Sequence, residues 1–338
     1  MQHEITEKGP LFDGKGNLRE PGWSRRMLLR YDRASVKKSA WHIKEWDYYI
    51  VSDGRYGVAL TVADNGYMGL ISASALDFLR PWEQTNSIME ALPLGKYRMP
   101  TSSETGDVEV SNKGYSMRFF NRGDERHLVC TYERFFGAKT LDVDITLRVP
   151  ETESIVIATP FHKPGHFYYN QKINCMPASG HVRLGELEFA FDENSAFGTL
   201  DWGRGVWTYD NTWYWGSANG VVNGKAFGFN IGYGFGDTRA ATENVVFYDH
   251  KLHKLEHVTF HIPEDSYLKP WTFSSSDNRF EMQFTPVLDR AARTNAVVIE
   301  TDQHQVFGRF TGRVLLDDGT VLQIHNLFGF AEKVRNRY

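Results

Sequence analysis

Apolar and polar residues alternate in short runs along most of the chain, and glycine-containing turn pairs separate the runs. The clearest run places Leu141, Val143, Ile145 and Leu147 against Asp142, Asp144, Thr146 and Arg148. A period of two puts one apolar face inward and one charged face in water, so the run predicts a half-buried strand. Asp53-Gly54 separates Tyr48–Val51 from Tyr56–Leu60, and Asn65-Gly66 follows soon after. Asn112-Lys113-Gly114, Asn223-Gly224 and Asp318-Gly319 punctuate later segments, the last between Val314/Leu316 and Val321/Ile324. Asn-Gly and Asp-Gly tolerate the positive φ of tight hairpin turns, so the segments they join pair antiparallel. Helical patterns are scarce; Pro81–Leu92 and Leu288–Arg293 are each predicted as a short helix. Many short strands with regular turns define an all-β sandwich or barrel.

Two aromatic hairpins resemble each other. Trp46-Asp47-Tyr48-Tyr49 leads through Asp53-Gly54 to Tyr56-Gly57-Val58, and Trp213-Tyr214-Trp215-Gly216 leads through Asn223-Gly224 to Phe227-Gly228-Phe229. Trp46 and Trp213 lie 167 positions apart and Gly57 and Gly228 lie 171 apart, close to half of the 338 residues. Two similar β-domains in tandem, 1–163 and 164–338, would give that offset; chance likeness of two aromatic hairpins is the competing explanation. The boundary is expected near Pro160–Gly165, where Pro160 and Pro164 interrupt strand pairing.

Composition narrows the function. The net charge of −4 is spread along the chain, unlike the concentrated basic surface that nucleic acid requires. No apolar run reaches the roughly 18 residues of a membrane span. The N-terminus, Met1-Gln2-His3-Glu4-Ile5-Thr6-Glu7-Lys8, lacks the pattern of a signal peptide, and a cytoplasmic location is expected. Cys130 and Cys175 form neither a disulfide framework nor a zinc spacing and read as small buried hydrophobes. Phosphate-cradling, dinucleotide, zinc and nucleophile-elbow motifs are missing, so no metal or organic cofactor is expected.

The densest candidate chemistry lies at Asp201-Trp202-Gly203-Arg204-Gly205, followed by Trp207, Tyr209, Trp213 and Trp215. Four of the nine tryptophans fall within positions 202–215, and such rings supply rigid pocket surface. Asp201 set among them is a candidate proton donor with Arg204 tuning it; a buried ion pair that only pins a strand is the alternative. Asn170, Lys172 and Asn174 share one face of an extended strand and would present a cation and two amides. Glu243, Asn244 and His253 form a further polar set, with His253 able to move protons near neutral pH. Glu332, in Gly329-Phe330-Ala331-Glu332, is either an inward acid or the solvated end of a strand.

With these segments added to Pro21-Gly22-Trp23-Ser24-Arg25, Ala178-Ser179-Gly180 and His253-Lys254-Leu255, the chain resembles the bacterial family of domain of unknown function 2804. More distantly it is similar to lipocalin-type two-domain proteins such as carotenoid 1,2-hydratase, tocopherol cyclase and fungal lipocalin-like Diels–Alderases. That resemblance implies two lipocalin-like antiparallel β-barrel or sandwich domains in tandem. It also implies cofactor-free chemistry on alkenes in an aromatic cavity, with Asp201 as the counterpart of the acid by chemistry rather than by motif.

The leading expectation is therefore a hydratase, cyclase or isomerase acting on a small, partly apolar molecule. Asp201, Arg204 and His253 are its catalytic candidates. Trp202, Trp207, Tyr209, Trp213, Trp215, Asn170, Lys172, Asn174, Glu243 and Asn244 would hold the substrate. A non-catalytic lipid or isoprenoid binder is the second reading. A carbohydrate-processing enzyme, pairing Asp201 with Glu243 or Glu332, is the third.

Overall fold

A computed structural model describes residues 2–151, 153–296 and 299–337. Its strands form two large antiparallel sheets and one two-stranded pairing of Gly9–Pro10 with Leu29–Arg30. The only helical element among the described residues is the 3-10 turn Arg33–Ser35. The first sheet runs Trp82–Ala91, Met68–Asp77, Tyr56–Asp64, Lys44–Ser52, Phe197–Val206, Phe167–Leu184, Lys139–Arg148, Glu125–Phe136, Tyr115–Asn121 and Val108–Asn112. Gly22–Ser24, Ile155–Pro160 and Leu187–Phe191 attach at its side. The second runs Lys251–Lys254, Val245–Tyr248, Lys225–Tyr233, Asp210–Val222, Val321–Arg337, Ile299–Leu315, Phe280–Ala296, Trp271–Ser275 and Val258–His261. Both are curled, lipocalin-like half-barrels. Among the described residues no helix is long and apolar enough to cross a membrane.

The turn chemistry acts where the pattern places it. Asn223 (φ 52°) and Gly224 (φ 76°) are both left-handed, as a tight turn between Asp210–Val222 and Lys225–Tyr233 requires. Along Lys139–Arg148, Leu141, Val143, Ile145 and Leu147 are all buried in the first core. The two expected helices are strands. Trp82–Ala91 pairs with Met68–Asp77 along its full length, and residues 288–293 lie inside Phe280–Ala296, paired with Ile299–Leu315. Thr85, Asn86, Ser87 and Ile88 are weak helix formers. The Ala291-Ala292 step favours a helix only by tenths of a kcal/mol, which a sheet partner outweighs.

The two sheets repeat one topology. In each, the first strand of the main path lies between its own hairpin partner and the last strand of the sheet. Lys44–Ser52 sits between Tyr56–Asp64 and Phe197–Val206; Asp210–Val222 sits between Lys225–Tyr233 and Val321–Arg337. Each sheet then steps out to one edge, crosses to the other and returns. The chain therefore changes sheet between Val206 and Asp210. The Pro160–Gly165 segment, where the boundary was expected, joins Ile155–Pro160 to Phe167–Leu184 within the first sheet. Prolines end strands, but they do not tell a connection inside a sheet from one between sheets.

Three layers of apolar packing result. The first sheet encloses one core, including Leu60, Leu128, Ile145 and Leu200; the second encloses another, including Phe229, Trp271, Phe284 and Phe310. Between them, Tyr48, Ile50, Phe78, Trp215, Phe307 and Phe330 pack together across the sheets. Strands at this junction have no solvent face, so Phe197–Val206 is buried at all ten positions. A strand buried on both faces loses the alternating pattern, and any polar residue on it must find a partner.

Candidate active site between the sheets

Alternation along Phe197–Val206 separates the residues that sequence reasoning had grouped. Trp202 and Arg204 point into the first barrel. Trp202 meets Tyr31 and Tyr169 edge-on, and the Arg204 guanidinium lies 4.1 Å over the Trp202 ring. Arg204, 0% exposed, donates to Pro100 O (2.7 Å), Trp46 O (2.8 Å), Gly203 O (2.8 Å) and Asp47 Oδ1 (3.0 Å). Its carboxylate partners are thus Asp47 and, at 3.9 Å, Glu45, not Asp201, and the expected pairing of Arg204 with Asp201 does not occur. Positions three apart on a strand face opposite sides. Trp202 and Arg204 serve the interior of the barrel.

Asp201, Gly203 and Gly205 face the second sheet. A methyl group on Gly203 would lie 2.0 Å from Trp46 Cζ2, and one on Gly205 would lie 2.7 Å from Phe167 O and 3.2 Å from Trp207 Cε3. The glycines therefore leave room for the Trp46 and Trp207 rings, which meet edge-on at 5.3 Å. Gly203→Ala is expected to destabilise by about 1–3 kcal/mol through overpacking. Urea unfolding checks this, and a change below 0.5 kcal/mol, a generous bound for surface-like neutrality, would contradict the packing argument.

Two cross-strand rows face each other across the junction. On the first sheet Tyr48, Asp201 and Lys172 stand side by side; on the second, Arg290, Gln305, Glu332 and Trp215 do. Lys172 Nζ lies 2.8 Å from Asp201 Oδ1 and 3.9 Å over the Trp215 ring, so cation, carboxylate and indole meet between the sheets. Asn170 Nδ2 donates to Asp201 Oδ1 (2.6 Å) and to Trp202 O (2.6 Å), which fixes the amide and leaves the buried Asn170 Oδ1 without a partner. Trp213 Nε1 donates to Glu332 Oε1 at 3.0 Å, and Gln305 Nε2 to Glu332 Oε2 at 2.9 Å. Tyr48 OH reaches Gln305 Oε1 at 3.3 Å, and Arg290 reaches Tyr48 OH at 3.4 Å. Trp215 Nε1 donates to Asn230 Oδ1 (2.6 Å), whose amide in turn donates to Glu243 Oε2 (3.1 Å).

Burial decides the electrostatics. Glu332 is 5% exposed, and desolvation pushes its carboxyl up to about 7 against the Trp213 hydrogen bond and the charges of Lys172 and Arg290. Desolvation also raises Glu243, with Lys172 and the Asn230 hydrogen bond opposing and Asp201 reinforcing. The Tyr168 hydroxyl is raised far by burial, with Asp201, Glu243 and Glu332 all adding to the effect. The junction thus gathers three carboxyl groups around one ammonium under aromatic rings. Phe235 adds to that roof, meeting Tyr168, Trp207 and Trp213 at 4.9–5.4 Å. One pleat away, a cleft of about 260 Å³ opens between the sheets, lined among others by Ile50, Thr199, Ser217, Phe307 and Phe330. These are the neighbours, two positions along each strand, of Tyr48, Asp201, Trp215, Gln305 and Glu332.

The remaining candidates fall outside this group. His253, on the edge strand of the second sheet, accepts from the Asp317 N–H through Nδ1 at 3.3 Å. Tyr209 is 50% exposed. Asn244 holds Gly232 N and Glu256 O. Asn174 shares the face of Asn170 and Lys172 but ties the sheets together further along, through Ser217 and Phe229 O. Tyr48, Gln305, Arg290, Asn230 and Phe235 escaped sequence reasoning. Tyr48 sat within the aromatic hairpin already noted; Gln305 and Arg290 carry no local signal.

Fold and site together define a lipocalin-like, two-sheet protein with buried acids between its halves. The chain belongs to the family of domain of unknown function 2804, whose model matches residues 2–338. Among solved structures it is similar to an AttH-like protein of Nitrosomonas europaea, with 13% identity and a TM-score of 0.56 over 96% of this chain and 98% of that one. It is also similar to kievitone hydratase of Nectria haematococca, with 10% identity and a TM-score of 0.51 over 98% of each chain. A comparison with curated proteins finds no match to the chain.

Proposed function

We propose that this protein is a cofactor-independent enzyme that adds a proton to an alkene of a small, partly apolar substrate, as a hydratase, cyclase or isomerase does. The carrying observation is Glu332: a buried carboxyl held up at about 7, oriented by Trp213 and Gln305. A carboxyl poised near neutral pH is suited to general acid catalysis. This reading transfers the acid role from Asp201 to Glu332. In the reaction, Glu332 gives its proton to one alkene carbon, and the adjacent carbon takes the positive charge. The ring faces of Trp213 and Tyr168 stabilise that charge. Water, a hydroxyl of the substrate or loss of a neighbouring proton then completes hydration, cyclisation or isomerisation.

Asp201 fits the complementary role. Lys172 and Asn170 both bind its Oδ1, leaving Oδ2 to take the proton of an incoming water or hydroxyl. The unpartnered Asn170 Oδ1 is an acceptor for the same O–H. Kievitone hydratase shares the fold, which agrees with the proposal without carrying it. The test is incubation with a panel of isoprenoid and phenolic alkenes in D₂O, read by mass spectrometry. Deuterium at carbon is expected with the native protein and not with Glu332→Gln. Equal uptake by both, or ligand binding with no uptake across the panel, would favour the non-catalytic binder instead.

A further inference from the structure

On the other face of the first sheet, inside the first barrel, Arg126 presents a separate problem. It lies on Glu125–Phe136 with the same inward parity as Leu128 and Cys130 and is 4% exposed. Its Nε has no hydrogen-bond partner, and among the described residues no carboxylate comes within the 4.0 Å of an ion pair. The carboxylates of this interior are engaged elsewhere. Asp47 Oδ1 takes Arg204 NH1 at 3.0 Å, and Glu45 takes Tyr31 OH at 2.9 Å and Arg33 NH1 at 2.5 Å.

The other buried atoms without partners in this barrel have the same polarity. The Trp202 indole Nε1, on a residue that is 0% exposed, is an N–H donor, and so is Arg33 NH2 beside Glu45. The interior therefore has surplus donors and lacks an acceptor. Guanidinium groups keep their proton in proteins, so Arg126 cannot relieve its burial by neutralising, as a lysine or a carboxyl would. A buried charge without a close partner is strongly unfavourable, and a buried polar group without a partner calls for a bound ion or other acceptor. Asp47 and Tyr49, separated from it by three intervening strands, do feel the Arg126 charge across the interior, yet neither forms an ion pair or hydrogen bond with it.

We propose that the first barrel holds a carboxylate-type anion on the Arg126 guanidinium, either a small free carboxylate or the head group of a longer acid. This site is distinct from the one between the sheets, and the two proposals stand or fall separately.

Thermal unfolding of the full chain tests it, in a buffer whose only anion is a bulky sulfonate. Sodium formate, acetate or octanoate is titrated against the same sodium added as the sulfonate. A saturable rise in Tm with at least one carboxylate is expected for the native chain, and its loss in Arg126→Met. A stronger effect of octanoate than of acetate identifies the head group of a longer acid; the reverse order identifies a small free anion. No saturable rise in the native chain, or an equal rise in Arg126→Met, overturns the proposal and indicates an adventitious ion only. If Arg126→Met does not fold, native crystals grown with bromide decide the matter. An anomalous peak against the Arg126 guanidinium supports the site, and its absence overturns it.

Discussion

Replacing Glu332 with glutamine is expected to lower turnover by roughly 10²–10⁴-fold, the usual contribution of a general acid, and to remove a pH dependence of stability. Glutamine keeps the size of the side chain and an oxygen for Trp213 Nε1, so the junction should stay folded. It cannot give up a proton as an acid does. The stability effect has a definite sign. A carboxyl raised from 4.5 to about 7 by burial holds its proton more tightly in the folded state than in the unfolded chain. Between those values the unfolded chain binds fewer protons, so stability falls as pH rises. The contribution is fully present below about 4.5, is lost through about 7, and amounts to on the order of 3 kcal/mol. Urea midpoints of the native chain and Glu332→Gln from pH 4.5 to 8 should therefore converge or cross as pH rises. Under the proposed reaction, turnover by the native protein should decline over the same upper range. Parallel stability curves would show that Glu332 is not the buried acid.

Arg204→Ala should be the most damaging single substitution in the Asp201–Gly205 segment, costing roughly 3–5 kcal/mol of stability, as removal of one partner from a buried ion pair does. The guanidinium donates to three backbone carbonyls and to Asp47, whose carboxyl is already raised by burial against the pull of Arg204. Removing the cation leaves Asp47 desolvated and the Pro100, Trp46 and Gly203 carbonyls unpaired. Arg204→Lys should recover little, because an ammonium is a point charge and cannot reproduce the planar fork. Denaturant unfolding checks both variants, and Arg204→Met, Asp47→Asn and their combination complete the cycle that measures the pair. A loss below 1 kcal/mol in Arg204→Ala, the range of exposed pairs, would return Arg204 to the list of functional candidates.

These two expectations show how far the neighbours of a side chain on a strand depart from its neighbours in sequence. Asp201-Trp202-Gly203-Arg204-Gly205 does lie at the centre of the molecule, and its two glycines do mark close approach, here by Trp46 and Trp207. The Asp201–Arg204 pairing failed because nearness in sequence was read as nearness in space, whereas a strand turns residues three apart to opposite faces. Glu332, the proposed acid, escaped for a different reason. Glu332 was visible as either an inward acid or a solvated strand end, and nothing local separates the two. Only the placement of the last strand beside Asp210–Val222, beneath Trp213, removes its water and raises its carboxyl.

The sequence by itself determined the all-β class, the antiparallel hairpins at Asp53-Gly54, Asn65-Gly66, Asn112-Gly114, Asn223-Gly224 and Asp318-Gly319, and the common face of Asn170 and Lys172. These follow from backbone preferences and a two-residue period, which act over a few residues. Tertiary structure alone decided where the chain changes sheet, which face of each central strand meets the other half, and which carboxyl is stripped of water. Those depend on pairing between residues far apart in the chain. Where both faces of a strand are buried, the alternation that would reveal them is absent from the sequence.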